Sequence, residues 1–385
     1  MAEGREPESI ATIGLFSGAP QYANFCRIQQ LASVKGMAAS SRPYEFPARP
    51  AIELPETYAH GGAERKLQTL LDETHTSALL VLEDGTVRFE RYWLTGGRGV
   101  QWLSMSVAKS FTSALVGIAQ SEGLIERLED PISRYVENLE GSAYDGVRIR
   151  DVLQMSSGAR FDEDYTNPSS EIFRLSAAFA PGGSFDAFMR TMQREVAPGA
   201  RCVYASADTQ ALAMLLRSAT RRSLTAYTQE KLCEPLGMES PAFLMCDEQG
   251  VEAAFVGLLM TARDFAKLGE LYRNGGVWGG RQIVPADFVA ASVRCDAPHL
   301  APGKPLVGGH PFPLGYGYQW WIPDGDRGEF SAIGVYNQYV YVDPSRGAVI
   351  VKLSANPRYG LSHDDADNKD VETISAFRAI CRQLD

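Results

Sequence analysis

Residues 102–119 read WLSMSVAKSFTSALVGIA, and the rest of the chain is read outward from this stretch. Beyond Lys109, the residues Phe111, Leu115, Ile118 and Ala119 recur at three- and four-residue intervals, with Ser110, Ser113, Ala114 and Gly117 between them. That spacing predicts a helix with a core-facing stripe. Ser106 and Lys109, three positions apart, then share one face of its first turn. Backbone N–H groups there lack intrahelical partners, and the helix dipole favours a developing anion. A serine hydroxyl is a weak nucleophile until a neighbouring base removes its proton. Lys109 is such a base only when uncharged, so its surroundings must bring its pKa from about 10.4 towards 7. None of the other lysines (Lys35, Lys66, Lys231, Lys267, Lys304, Lys352, Lys369) has serine three positions earlier.

Composition narrows the function. A chain of 385 residues with 45% hydrophobic content can bury one large core or two modest ones. Its net charge of −10 and lack of basic runs argue against a nucleic-acid or anionic-membrane partner, both of which are met by clustered Lys and Arg. No uninterrupted apolar segment reaches the roughly 18 residues of a membrane span. Residues 1–20 mix Glu3, Arg5, Glu6 and Glu8 with short apolar pieces and contain no signal-peptide core, so a cytoplasmic protein is expected. The six cysteines are scattered without a C-x-x-C pair, which fits reduced thiols rather than a disulfide frame or a zinc site.

Residues 1–55, rich in Pro, Ala, Ser and Gly, read as an N-terminal extended arm. Residues 63–74 carry Leu67, Leu70 and Leu71 at helical spacing, and 77–93 read as two strands joined at Asp84-Gly85, a hairpin signal. From Ser106 to about Cys233 the signals are mostly helical: a helix start at Asp130-Pro131 within 125–136, then 150–155, 185–196 and 208–218. After Gly237 come a helix over 261–274, with Thr261 and Asp264 resembling a capping box, and strands over 316–322, 329–334, 338–342 and 348–353. A last helix spans 371–384. Strands at both ends with helices between predict an α+β fold: one antiparallel sheet built from both ends and flanked by terminal helices, with an inserted helical domain. The expected division is a sheet domain of 56–105 and 234–385, a helical domain of 106–233, and an active site between them.

The motifs Ser106-Val107-Ala108-Lys109, Asp151-Val152-Leu153-Gln154-Met155-Ser156-Ser157-Gly158, and Pro198-Gly199 leading to Tyr204, in that order, resemble the serine β-lactamase and penicillin-binding-protein superfamily on its class C and family VIII esterase side. Within it, Ser104 to Phe111, Glu163-Asp164-Tyr165, Gln319-Trp320-Trp321 and Val349 to Ser354 look like the 6-aminohexanoate-dimer hydrolases, the nylon-oligomer amidases. The resemblance implies that Ser106 is acylated, that Lys109 is its base, and that Tyr204 carries a proton to the leaving group. It implies an oxyanion site of the Ser106 N–H and one N–H near Val335, and substrate contacts from Tyr165, Val335, Tyr336 and Trp321. Two departures stand out. Ser206 replaces the asparagine of Y-x-N, and Gly334-Val335-Tyr336-Asn337 stands where K-T-G or H-x-G supplies a cation on the edge strand. That removes the cation which recognises a β-lactam carboxylate.

Rival sites read as structure. Asp162, Glu163 and Asp164 miss the calcium-loop spacing, which would place Asn167 at the glycine and Phe173 at the glutamate, so a solvated loop is expected. His363, Asp364, Asp365 and Asp367 read as another polar loop. His60, His75, His299 and His310 fall in no H-E-x-x-H pattern, and no G-x-S-x-G is present. No metal and no cofactor are therefore expected. The reading is a serine hydrolase acting on a small-molecule amide or ester through an acyl-Ser106 intermediate. Transfer of the acyl group to an amine and a non-catalytic binder of the same fold are the alternatives, and the oligomeric state, a homodimer included, stays open.

Overall fold

The computed structural model describes residues 8–307 and 310–385, the side chain of His310 excepted. Its frame is a seven-stranded antiparallel sheet in the order Leu314–Tyr316, Trp321–Pro323, Phe330–Gly334, Gln338–Asp343, Ala348–Leu353, Ala78–Glu83, Thr86–Tyr92. The two ends of the chain meet where Ala348–Leu353 pairs along its whole length with Ala78–Glu83. Both strands are buried throughout, as their near-continuous Val, Ile and Leu composition requires. The Asp84-Gly85 turn works as its residues predict: φ is +45° and +69°, the left-handed pair that matches the twist of a two-residue hairpin.

Alternation in Gln338–Asp343 sorts two helices onto opposite faces. Tyr339 and Tyr341 meet Phe377 of the C-terminal helix Asp370–Cys381, whereas Val340 and Val342 lie against Gly269 of the helix Ala262–Arg273. In the latter helix the Thr261 side chain caps the Asp264 N–H. The Asp264 carboxylate takes the Thr261 hydroxyl and the Glu239 and Ser240 N–H groups, tying the helix start to the preceding loop. The Ser106 helix, Val107–Ser121, lies between the sheet and the helical block: Phe111 meets Phe265 on one side, and the helix packs on Ser206–Thr220 on the other.

Several elements differ from the sequence expectation. The strand read over 316–322 is broken by Gln319, whose φ is +63°, and only Leu314–Tyr316 and Trp321–Pro323 pair. Residues 63–74 open as the strand Ala63–Lys66, paired with Thr57–His60, before the helix Leu67–Glu73. Residues 125–136 hold only a short 3-10 turn, and the helix read over 185–196 ends at Arg190. The arm is more than extended chain. Val34–Met37 forms the edge of a second sheet with Ala242–Met245, Leu258–Met260 and Trp102–Leu103, a long-range pairing that local composition does not announce. Residues 1–7 of the arm lie outside the described residues. Among the described residues no helix is long and apolar enough to cross a membrane.

Candidate active site

Trp102–Leu103 delivers the chain to Ser106 through Met105, which holds φ at +46°, and the helix begins at Val107. That left-handed residue turns the strand sharply into the helix, and Ser106 faces two cavities. Gly334, at the end of a sheet strand, lies so close that a Cβ there would stand 2.9 Å from the Ser106 nitrogen and 2.7 Å from the Ser104 carbonyl oxygen. Only glycine admits this approach, which sets Val335 beside Ser106. Among the described residues neither the Ser106 N–H nor the Val335 N–H has an acceptor. The strand carrying Gly334 is interior to the sheet, not its edge as expected; Trp321–Pro323 pairs outside it through one residue, Trp321 with Ser331.

Lys109 is fully buried, with Nζ 2.9 Å from Ser106 Oγ, 3.0 Å from Ser206 Oγ and 2.9 Å from the Phe255 carbonyl oxygen. The Ser206 hydroxyl donates to Glu163 Oε1 at 2.6 Å, so its oxygen is left to accept from Lys109. The Phe255 carbonyl can only accept. As the ammonium, Lys109 donates to all three oxygens; once it is neutral, its two N–H groups stay on Ser206 and Phe255 and its lone pair faces the Ser106 hydroxyl. Burial pushes the Lys109 pKa down to about 8, against the opposing pull of the Glu163 carboxylate. The depression costs the fold on the order of 3 kcal/mol below pH 8; the cost shrinks as pH rises past about 8, where the folded lysine loses its proton, and is gone above about 10.5, where the unfolded one has lost its proton too.

Tyr204 is buried, its ring centroid 5.0 Å from Lys109 Nζ, and it lines a cavity together with Ser106, whose side chain opposes the rise in its pKa. Burial first, and the Glu163 charge second, raise its pKa well above 10, so the phenol keeps its proton at neutral pH. Trp321 stacks on Tyr204 at 5.0 Å and lines the same cavity. Tyr165 donates to Glu163 Oε1 at 2.8 Å, stacks on Phe16 at 4.5 Å, and borders both cavities, as does Val335.

Tyr336 is the expected contact that the structure places elsewhere. Its φ of +64° carries the ring away from both cavities into a buried cluster with Phe25 and Tyr359, where its oxygen accepts the Phe16 N–H at 2.6 Å. Asn337 likewise turns inward, donating to the Asn368 carbonyl at 2.7 Å. Two participants were missed by the sequence reading, and a third, Ser206, entered it only as a departure from the motif. Glu163, assigned to a solvated loop, is 1% exposed and accepts the Ser206 N–H at 2.8 Å as well as the two hydroxyls. Ser206 itself holds the lysine in place of an asparagine, and the Phe255 carbonyl comes from 146 positions away. Only the place of Ser206 two residues after Tyr204 gave a signal. Among the described residues no group of three His, Cys, Asp or Glu side chains gathers to hold a metal ion.

A serine and a buried lysine at a helix start, a tyrosine on the serine and a strand end beside it, on an antiparallel sheet closed by both ends of the chain, define the fold class of β-lactamases and penicillin-binding proteins. The chain belongs to the Beta-lactamase family, whose profile matches residues 63–372. It is 31% identical over 348 residues, 88% of this chain and 86% of the relative, to the 6-aminohexanoate-dimer hydrolase of Paenarthrobacter ureafaciens. A solved structure from Bacillus anthracis, described as a candidate 6-aminohexanoate-dimer hydrolase, superposes with a TM-score of 0.84 at 23% identity, covering 98% of each chain. EstCE1, described as a hydrolase with promiscuous acyltransferase activity, superposes with a TM-score of 0.62 at 17% identity over 82% of this chain and 96% of its own. These two structures show likeness of fold.

Proposed function

We propose that the protein is a serine hydrolase that cleaves a small amide or ester through an acyl-Ser106 intermediate. The observation that carries this reading is the buried contact of Lys109 Nζ with Ser106 Oγ, with Ser206 and Phe255 placed to hold the other two amine positions, so that deprotonation leaves the lone pair on Ser106. Lys109 takes the Ser106 proton as Oγ attacks the carbonyl carbon, and the oxyanion forms between the Ser106 and Val335 N–H groups. Tyr204 gives its proton to the leaving nitrogen or oxygen as that bond breaks, and Lys109 returns a proton to the phenolate. Water then releases the acyl group by the reverse sequence. Each proton has a side chain to carry it, so no metal or cofactor enters the scheme. The relative named as a 6-aminohexanoate-dimer hydrolase supports an amide among the substrates. The six free cysteines support a reducing compartment, the cytoplasm.

Tyr204→Phe tests proton delivery. Amide turnover should fall by 10²-fold or more, while p-nitrophenyl esters, whose leaving group needs no proton, should lose far less; equal losses would remove Tyr204 from that role. Supplying an amine during turnover separates hydrolysis from acyl transfer, since a new amide product would assign transfer.

The acid limb of kcat/KM reports the base. It should rise with pH, reach half its plateau near pH 8 and level off above it, because the neutral lysine is the active form. In Glu163→Gln the limb should move to lower pH, because the carboxylate that favours the Lys109 ammonium is gone. A limb that stays in place would assign it to another group.

A further inference from the structure

Two cavities meet at Ser106, and their linings differ. One, about 130 Å³, is walled by Tyr204 and by apolar groups such as Trp321, Phe312 and Ile333, and it also has charged side chains in its wall, Glu163, Asp164 and Asp370. The other, about 370 Å³, runs under the N-terminal segment and is walled by apolar side chains such as Leu15, Phe16, Ile172, Phe173, Phe179 and Phe255. Among the described residues it has no charged side chain in its wall. Ser106, Tyr165 and Val335 border both.

The position of Tyr204 assigns the halves of a substrate. The leaving group must lie where the phenol can reach it, and of the two cavities Tyr204 lines only the smaller, so the acyl group extends the other way. Resting on the acyl-enzyme reading above, we infer that the larger cavity is the acyl subsite and that it takes an uncharged hydrocarbon acyl chain of several carbons, rejecting one tipped with an ammonium. An ammonium sunk there would lose its water without gaining a partner. Glu163 gives none: it lines the smaller cavity, and its oxygens are taken by the Ser206 N–H, the Ser206 hydroxyl and the Tyr165 hydroxyl. A hydrocarbon chain gains with each methylene it buries, about three- to fourfold in kcat/KM. The acyl half of a 6-aminohexanoate dimer ends in such an ammonium, so this chain is expected to prefer a different acyl group from the one in its relative's name.

The test uses the full chain and p-nitroanilides of acetic, hexanoic and 6-aminohexanoic acid, which share one leaving group. Hexanoyl should exceed acetyl, and should exceed 6-aminohexanoyl by about 100-fold or more in kcat/KM. Equal rates, or preference for the ammonium, would overturn the subsite. Binding to the Ser106→Ala protein reads the cavity without chemistry: hexanamide should bind at least 100-fold more tightly than 6-aminohexanamide. If hexanamide binds selectively while no anilide is cleaved by the wild type, the hydrolase reading fails and the subsite stands. If neither amide binds, or both bind alike, the subsite fails whatever the turnover. Ser176→Asp places a carboxylate at a half-buried position of the wall. It should raise 6-aminohexanoyl turnover at least tenfold relative to hexanoyl, and no change in that ratio would count against the assignment.

Discussion

Ser106→Ala is expected to abolish turnover, lowering kcat by 10⁴-fold or more. The loss is large because alanine removes the atom that forms the acyl bond, and neighbouring groups acting as one unit cannot make up for it. Folding should survive. The hydroxyl is one of three polar partners of Lys109, and Ser206 Oγ and the Phe255 carbonyl remain to hold the amine. A thermal unfolding midpoint within a few degrees of wild type, with no product above background and no labelling by a fluorophosphonate probe, is the expected set of results. Activity near wild type would place the nucleophile elsewhere, and failure of the folded wild-type protein to label at Ser106 would favour a binding protein of the same fold.

Lys109→Ala should lose about 10³-fold or more in acylation rate, and with it the limb near pH 8. Its stability change is a contest. The variant leaves the Ser206 oxygen and the Phe255 carbonyl without a donor, at about 1–3 kcal/mol for each buried orphan, but it also removes the cost of burying an amine. Lys109→Arg separates catalysis from packing. A guanidinium stays charged at every accessible pH and has no lone pair to offer, so it should restore cationic hydrogen bonding without restoring rate. Partial recovery of Lys109→Ala by added ethylamine would show that a free base is what is missing. A rate equal to wild type in Lys109→Arg would exclude general-base action by this residue.

Much of this arrangement was legible from local pattern. The i, i+3 spacing put Ser106 and Lys109 on one helical face, and Asp84-Gly85 fixed a hairpin because two left-handed residues match strand twist. The uninterrupted apolar run of Ala348–Leu353 marked a buried strand. The polar surroundings of the lysine were not legible. Glu163 sits among Asp162, Asp164 and Thr166 and so resembles solvated chain, yet its carboxylate is closed off by Ser206 and Tyr165. The aromatic run 316–321 was ambiguous for a related reason. Only Trp321 lines a cavity, whereas Trp320 is buried against Tyr272 and Phe330, and alternation alone does not say which face of a short strand meets a cleft.

The sequence by itself determined the pair at the helix start, the strands that close the sheet from both ends and the phenol at Tyr204, because period, turn chemistry and motif order reside in neighbouring residues. Tertiary structure alone decided that Lys109 loses its proton near pH 8 rather than above 10, that Tyr336 turns away, and that two cavities, one with charged side chains in its wall and one without, flank Ser106. Those properties arise from desolvation and from groups such as Phe255 and Phe16 that reach the site from far along the chain, and no local spacing encodes them.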